Sequence, residues 1–199
     1  DLDALMECKY DGTDLTVTQQ QQEMVLVIGE NIKVRRFARF EGGTSVAYVH
    51  AGGKIGVLVD VETDVVNDAV KEMAKNVAMQ AAALKPLYTN RDEVDADYIE
   101  KEKEILTVAA KNEKPDANDK IISGMVMGRI NKELKEICLL DQVYVKAEDG
   151  KQSVGKYVES VAKAEGIALE IKGFVRYETG EGIEKVESDF AAEVAAQLK

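Results

Sequence analysis

The sequence predicts an α+β fold in which an antiparallel sheet is covered by helices, with an inserted antiparallel helical hairpin and a C-terminal helix. Three observations lead to this class. Apolar residues alternate in early runs and again near residue 174, they repeat at helical spacing elsewhere, and the early runs lie too close together for crossover helices. The 199 residues, 45% of them apolar, are sufficient for a hydrophobic core.

The first predicted elements are a helix and three strands. Residues 19–28, QQQQEMVLVI, precede GENI, whose glycine and asparagine favour the end of a helix. The run NIKVRRFARFEGG places apolar side chains on one face of an extended chain and charged ones on the other. TSVAYV and KIGVLVDVE follow as further strands, and the short connections favour antiparallel pairing.

The next elements are predicted to be helical. From Asp64 the apolar spacing is that of a helix, which we expect to cover the sheet and to end at Pro86. A charged helix starts near Asp95, and another follows the turn NEKPDAND. Both have narrow apolar stripes and mostly charged outer faces, which predicts an antiparallel hairpin that projects from the body.

A late strand makes this hairpin an insertion. The run LEIKGFVRYETGEGIEKVE needs the early sheet as its partner, and a short helix in SVGKYVESVAKAEG precedes it. A last helix is predicted to begin at Ser188. The predicted organisation is a core subdomain over 31–93 and 139–186, a coiled-coil hairpin over 94–138, and a C-terminal helical module over 187–199.

Charge and cysteine content exclude several classes of function. Lys and Arg number 26 against 37 Asp and Glu, and a net charge of -11 disfavours direct nucleic-acid binding. Cys8 and Cys138 provide neither a disulfide framework nor a zinc cluster. With no signal pattern at the start and no apolar run of membrane-spanning length, we expect a soluble intracellular protein that needs no cofactor or metal.

The single histidine, His50, lies between two predicted strands in YVHAGGKIG. A catalytic histidine needs a nucleophile, and the chain has no Gly-x-Ser-x-Gly or comparable motif. The glycines and Lys54 resemble a phosphate-binding loop only superficially, because Ile55 opens a strand where such a loop requires Ser or Thr and a helix. We therefore predict no catalytic residue and favour binding over catalysis.

Six blocks resemble the translation elongation factor Ts family, in the family's order. They are IGENIKVRRFARFEG, YVHAGGKIGVLVDVE, VAMQAAALKPLY, YIEKEKEI, GRINKELKEICLLDQVYV and GFVRYETGEGIEKVESDFAAEVA. The resemblance implies a half-sandwich core, a dimerisation-associated coiled coil and a C-terminal helix. It also implies a non-covalent guanine nucleotide exchange factor that binds the GTPase elongation factor Tu, prefers its nucleotide-free state and so promotes GDP release.

The resemblance further implies seven partner-binding residues in three segments. They are His50, Gly52, Gly53, Val145, Lys146, Phe190 and Val194. The first three match the loop that touches the third domain of the GTPase, and the next two match a segment near the same surface. The last two match a terminal helix that packs on the nucleotide domain, although such a stripe also suits ordinary core packing.

The resemblance covers only part of the family's length. Residues 1–30 match a remnant of the first core subdomain, and the N-terminal helical domain and Thr-Asp-Phe-Val motif of the family are not found in the sequence. The alternative function is therefore a truncated partner-binding or dimerisation module without exchange activity. A homodimer is a further hypothesis, and we expect a location in the bacterial cytoplasm or in an organellar matrix or stroma.

Overall fold

The chain forms two compact units, Asp1–Glu41 and Gly42–Lys199. The structure is a computed structural model that describes residues 1–183, so the second unit is described as far as residue 183. The predicted C-terminal module over 187–199, with Phe190 and Val194, lies outside the described residues. The subdomain boundaries given above stay predictions.

The first unit contains helices α1 (Leu2–Glu7) and α2 (Val17–Ile28). Thr16 begins α2 with a capping box, in which its hydroxyl accepts from the Gln19 N–H at 3.2 Å and the Gln19 side chain accepts from the Thr16 N–H at 2.8 Å. Gly29 ends the helix in the left-handed region at φ 79°, where glycine has no steric cost. The predicted helix end at GENI is confirmed.

The prediction of a strand in NIKVRRFARFEGG is wrong. Residues 31–41 have no regular secondary structure, and the first strand begins only at Thr44. Alternating apolar and charged side chains suit any extended backbone, whereas a strand also needs a neighbour in a hydrogen-bonded ladder. The sequence shows the first property and not the second.

The second unit is built on a three-stranded antiparallel sheet. Its strands are β1 (Thr44–His50), β2 (Ile55–Thr63) and β3 (Leu169–Glu178), in the order β1-β2-β3. The late strand thus pairs with the early hairpin, as predicted, and the α+β class is confirmed. Val57, Val59 and Val61 of the central strand are buried on one face, where they form the floor of the core.

Helix α3 (Asp68–Leu84) packs on this floor. The Asn67 side chain caps its start by accepting from the Val70 N–H at 2.9 Å. Its end is Lys85, which is left-handed at φ 50° and precedes a proline that cannot continue the helix. The fully buried face of α3 consists of three alanines, two valines and one methionine: Val70, Met73, Ala74, Val77, Ala78 and Ala81. These let the helix lie close to the sheet.

Helices α4 (Ala96–Glu113) and α5 (Asp119–Ile137) form the predicted hairpin, and α6 (Val154–Glu165) follows it. The hairpin has an apolar cluster separate from the sheet core: Val94, Ala110, Ile122, Val126, Ile130, Leu134 and Cys138. Backbone hydrogen bonds close its base, from the Leu139 N–H to the Tyr88 carbonyl at 2.9 Å and from the Tyr88 N–H to the Ile137 carbonyl at 3.1 Å. Within residues 1–183, every helix is too short or too polar to cross a bilayer.

The burial of Met73 predicts a large loss of stability on truncation. Met73→Ala shortens a residue of α3 that is 1% exposed and faces the core. We expect the free energy of unfolding to fall by about 2–5 kcal/mol because a cavity remains. Met127→Ala, at a position 46% exposed, is the matched control and should change the free energy of unfolding by less than about 0.5 kcal/mol. Urea denaturation measures both.

The hairpin also predicts an unusual tyrosine titration. The Tyr98 hydroxyl donates to the Glu133 carboxylate, and this bond with partial burial raises the Tyr98 pKa from 10.0 to about 12. Because the folded state holds this proton more tightly, the resulting stability is present below about pH 10 and is lost as the pH rises to about 12. Glu133→Gln should lower the Tyr98 pKa in a tyrosinate absorbance titration, with Tyr98→Phe identifying the signal. An unchanged pKa in Glu133→Gln would contradict the assigned cause.

Candidate functional site

The tip between β1 and β2 contains three of the predicted partner-binding residues. His50 ends β1 and is exposed, and residues Ala51–Gly53 form a single 3-10 turn before β2 begins. The Tyr48 hydroxyl lies 2.8 Å from Nδ1 of His50, so one ring nitrogen is engaged in a hydrogen bond. The imidazole is thereby held at the edge of the tip.

The backbone of this tip explains its glycines. Ala51, Gly52 and Gly53 have φ values of 51°, 66° and 95°, three consecutive residues in the region that favours glycine. A Cβ at Gly52 or Gly53 would meet no atom within 4 Å, so the requirement comes from the backbone conformation and not from lack of space. The glycines therefore set the shape of the loop that presents His50.

The residue that follows β3 is hydrogen-bonded to the tip between β1 and β2. Both the N–H and the hydroxyl of Thr179 donate to the Lys54 carbonyl, at 2.8 and 3.1 Å. Glu178, one residue earlier, is bound by Arg176 at 2.7 Å and by Lys85 at 3.0 Å, and these two cations lower the pKa of its carboxyl group. Since Lys85 ends α3, the tip and the C-terminal end of α3 lie at the same end of the sheet.

The second predicted segment is held by one buried glutamine of α3. Gln80 is fully buried, and its side chain donates to the Val143 carbonyl at 3.0 Å and accepts from the Val145 N–H at 2.9 Å. These bonds add to an isolated antiparallel bridge between Val143 and Ser153, where the Tyr144 N–H donates to the Gln152 carbonyl at 2.9 Å. The side chains of residues 143–145 alternate: Tyr144 is buried, while Val143 and Val145 are exposed. Gln80 thus fixes two valines in an outward position.

Lys146 extends this segment along α3. Its ammonium group donates to the Asn76 side chain at 2.7 Å, and Asn76 in turn donates to the Tyr157 hydroxyl at 2.9 Å. The Tyr157 ring stacks on Tyr144, with ring centroids 4.2 Å apart and an interplanar angle of 12°. Burial raises the Tyr144 pKa above its ordinary value.

Five of the seven predicted site residues therefore lie in two separate segments. The tip lies near the C-terminal end of α3, and the other segment is hydrogen-bonded to α3 side chains. His50 and its two glycines lie at the tip, and Val145 and Lys146 lie against the last turns of α3. Phe190 and Val194 lie outside the described residues. Sequence reasoning missed Gln80 and Gln142, which are both buried and hydrogen-bonded to each other at 3.1 Å. The available signal was a glutamine inside the apolar stripe of α3.

The fold defines the class of protein: α+β, with a helical hairpin inserted between the second and third strands of its sheet. The family model described as Elongation factor TS matches residues 1–181. The chain belongs to the elongation factor Ts family.

Relatives named Elongation factor Ts agree with this assignment. The chain is 48% identical over 99% of its length to the protein of Clostridium botulinum (strain Eklund 17B / Type B), covering 64% of that relative. It is 50% identical over 93% of its length to that of Clostridioides difficile (strain 630), covering 60%. For Syntrophotalea carbinolica the identity is 45% over the whole chain, covering 65% of the relative. The chain thus spans less than two thirds of the length of these relatives.

The role of Gln80 predicts local loosening in a variant. Gln80→Leu keeps a similar volume but leaves the Val145 N–H and the Val143 carbonyl without their side-chain partner. Because both groups are only partly buried, we expect each loss to cost about 1 kcal/mol, the lower end of the range for unsatisfied groups. Hydrogen exchange at the Val145 amide should become faster by at least about tenfold. Gln22→Leu, at an exposed position, is the control and should leave that amide unchanged.

Proposed function

We propose that the chain is a guanine nucleotide exchange factor of translation elongation, which binds elongation factor Tu and promotes GDP release. The observation that carries this proposal is the family match over residues 1–181, supported by relatives at 44–50% identity. The activity requires no covalent step. If the factor binds the nucleotide-free GTPase more tightly than the GDP-bound form, linkage requires that it weaken GDP binding by the same factor.

The candidate site suits such a role because its segments are ordered before any partner arrives. A hydrogen bond to the Lys54 carbonyl holds the tip, and a hydrogen bond to the Gln80 side chain holds the segment around Val145. Ordering a loop on binding costs free energy, and a preformed surface avoids that cost. We propose His50, Gly52, Gly53, Val145 and Lys146 as contacts with the GTPase, together with Phe190 and Val194 outside the described residues.

The partner and the setting follow from the same proposal. All three relatives compared above are bacterial proteins. We infer a cytoplasmic location, where translation takes place, and a protein partner in preference to nucleic acid, because the chain carries a net charge of -11. A second copy of the chain is a further proposed partner of the hairpin.

The direct test is release of a fluorescent GDP analogue from elongation factor Tu of Clostridioides difficile. We expect the 199-residue chain to increase the release rate in proportion to its concentration, whereas an unrelated acidic protein of similar size should not. Binding of the nucleotide-free GTPase without faster release would instead support the truncated binding module. Absence of both binding and release would contradict the proposal.

His50 provides a residue-level prediction. We expect His50→Ala to weaken binding of nucleotide-free elongation factor Tu by about three- to tenfold, because a single exposed loop contact seldom dominates an interface. Isothermal titration calorimetry measures the affinity. Val66→Ala, at an exposed position before α3 and outside the proposed contacts, should bind like the parent chain. Equal affinities for the His50 variant and the parent would remove this residue from the proposed contacts.

A further inference from the structure

A groove beside the Val143 segment has an apolar floor and a basic rim. Leu84 and Val143 form its apolar part, while Lys132, Lys135 and Glu136 of α5 line it together with Gln142, and its volume is about 500 Å³. The Leu84 side chain is 46% exposed and that of Val143 is 51% exposed. Two apolar side chains therefore face solvent within one concave site.

The walls of this groove are fixed by buried and partly buried hydrogen bonds. The Gln142 amide donates to the Glu136 carbonyl at 2.7 Å, which links the groove to α5. Gln80 donates to Gln142 and to the Val143 carbonyl, which links it to α3. Because these bonds hold Val143 outward, its exposure is a property of the folded backbone and not of a movable side chain.

The rim has an excess of positive charge in an acidic chain. Within the described part of the chain, Lys132 and Lys135 make no ion pair, and Glu136 is the single carboxylate lining the groove. The whole chain has a net charge of -11, so a local excess of cations stands out from its surroundings. Complementary charge favours association with an acidic segment and repels basic ones.

The groove is also continuous with the proposed binding surface. Leu84 precedes Lys85, which pairs with Glu178 beside the His50 tip, and Val143 is two residues before Val145. A partner that contacts both the tip and the Val145 segment would pass close to this end of α3.

We propose that this groove is a further part of the surface that binds the GTPase, and that it takes an apolar side chain from a partner segment with carboxylates beside it. The inference rests on the proposed function. Val143 and Leu84 contact the apolar side chain, Lys132 and Lys135 attract the carboxylates, and Gln80 is a positioning residue that acts through Val143.

The test uses binding of the 199-residue chain to nucleotide-free elongation factor Tu of Clostridioides difficile at several salt concentrations. Val143→Asp and Leu84→Ser should each weaken the affinity by at least about tenfold, because they remove apolar contact area at the centre of the groove. Both positions are about half exposed, so the variants should fold, which unchanged melting temperatures verify. Val66→Asp, at a valine that is 52% exposed in the connection before α3, is the matched control and should stay within about twofold.

Charge reversal tests the acidic character of the partner segment. Lys132→Glu combined with Lys135→Glu should weaken binding and flatten its dependence on salt, since the attraction being removed is screened by ions. The same reversal at Lys71 and Lys75, two exposed lysines of α3, is the control. A merely structural role for the groove lysines would leave the salt dependence unchanged.

Each outcome distinguishes the inference from the proposed function. If the parent chain binds and His50→Ala weakens binding while both groove variants bind normally, the groove is not an interface and the inference fails alone. If the groove variants weaken binding but charge reversal leaves the salt dependence unchanged, the proposal that the partner segment is acidic is wrong. If the parent chain does not bind the GTPase at all, the proposed function fails and the inference fails with it.

Discussion

The packing of α3 on the three-stranded sheet is the interaction on which the rest of the second unit depends. Alanines at 74, 78 and 81 are fully buried, and their small side chains bring the helix backbone close to the valines of β2. That closeness has two consequences. The C-terminal end of α3 reaches the sheet edge near Glu178, and Gln80 comes within hydrogen-bond distance of the segment that follows the hairpin.

A buried glutamine in such a helix needs a complete set of partners. An unsatisfied buried amide costs about 1–3 kcal/mol, so the hydrogen bonds of Gln80 favour the one position of residues 143–145 that satisfies it. An apolar residue at this site would fill the same space without specifying that position. The polar side chain therefore fixes the orientation of residues 143–145, which an apolar side chain would leave unspecified.

The fold was largely predictable because its strongest signals are local. The stripe of α3, the two hairpin helices and the proline and glycine stops each follow from spacing within a single element. The error at 31–41 arose because strand formation is not local, and alternation cannot show whether a neighbour exists. The site was less predictable: His50 and Val145 came from family resemblance, whereas Gln80 and Gln142 became visible only as contacts between residues 62 positions apart.

The closed base of the hairpin has a consequence for how the chain folds. Thr179 and Lys54, which join the third strand to the tip, are 125 residues apart in the sequence, and closing a loop of that length is entropically costly and slow. Hydrogen bonds from Tyr88 to Ile137 and Leu139 hold the two ends of the hairpin together. With the hairpin closed in this way, the chain length that separates β2 from β3 is effectively shorter. The long insertion therefore adds less to the entropic cost of pairing these two strands than its number of residues suggests.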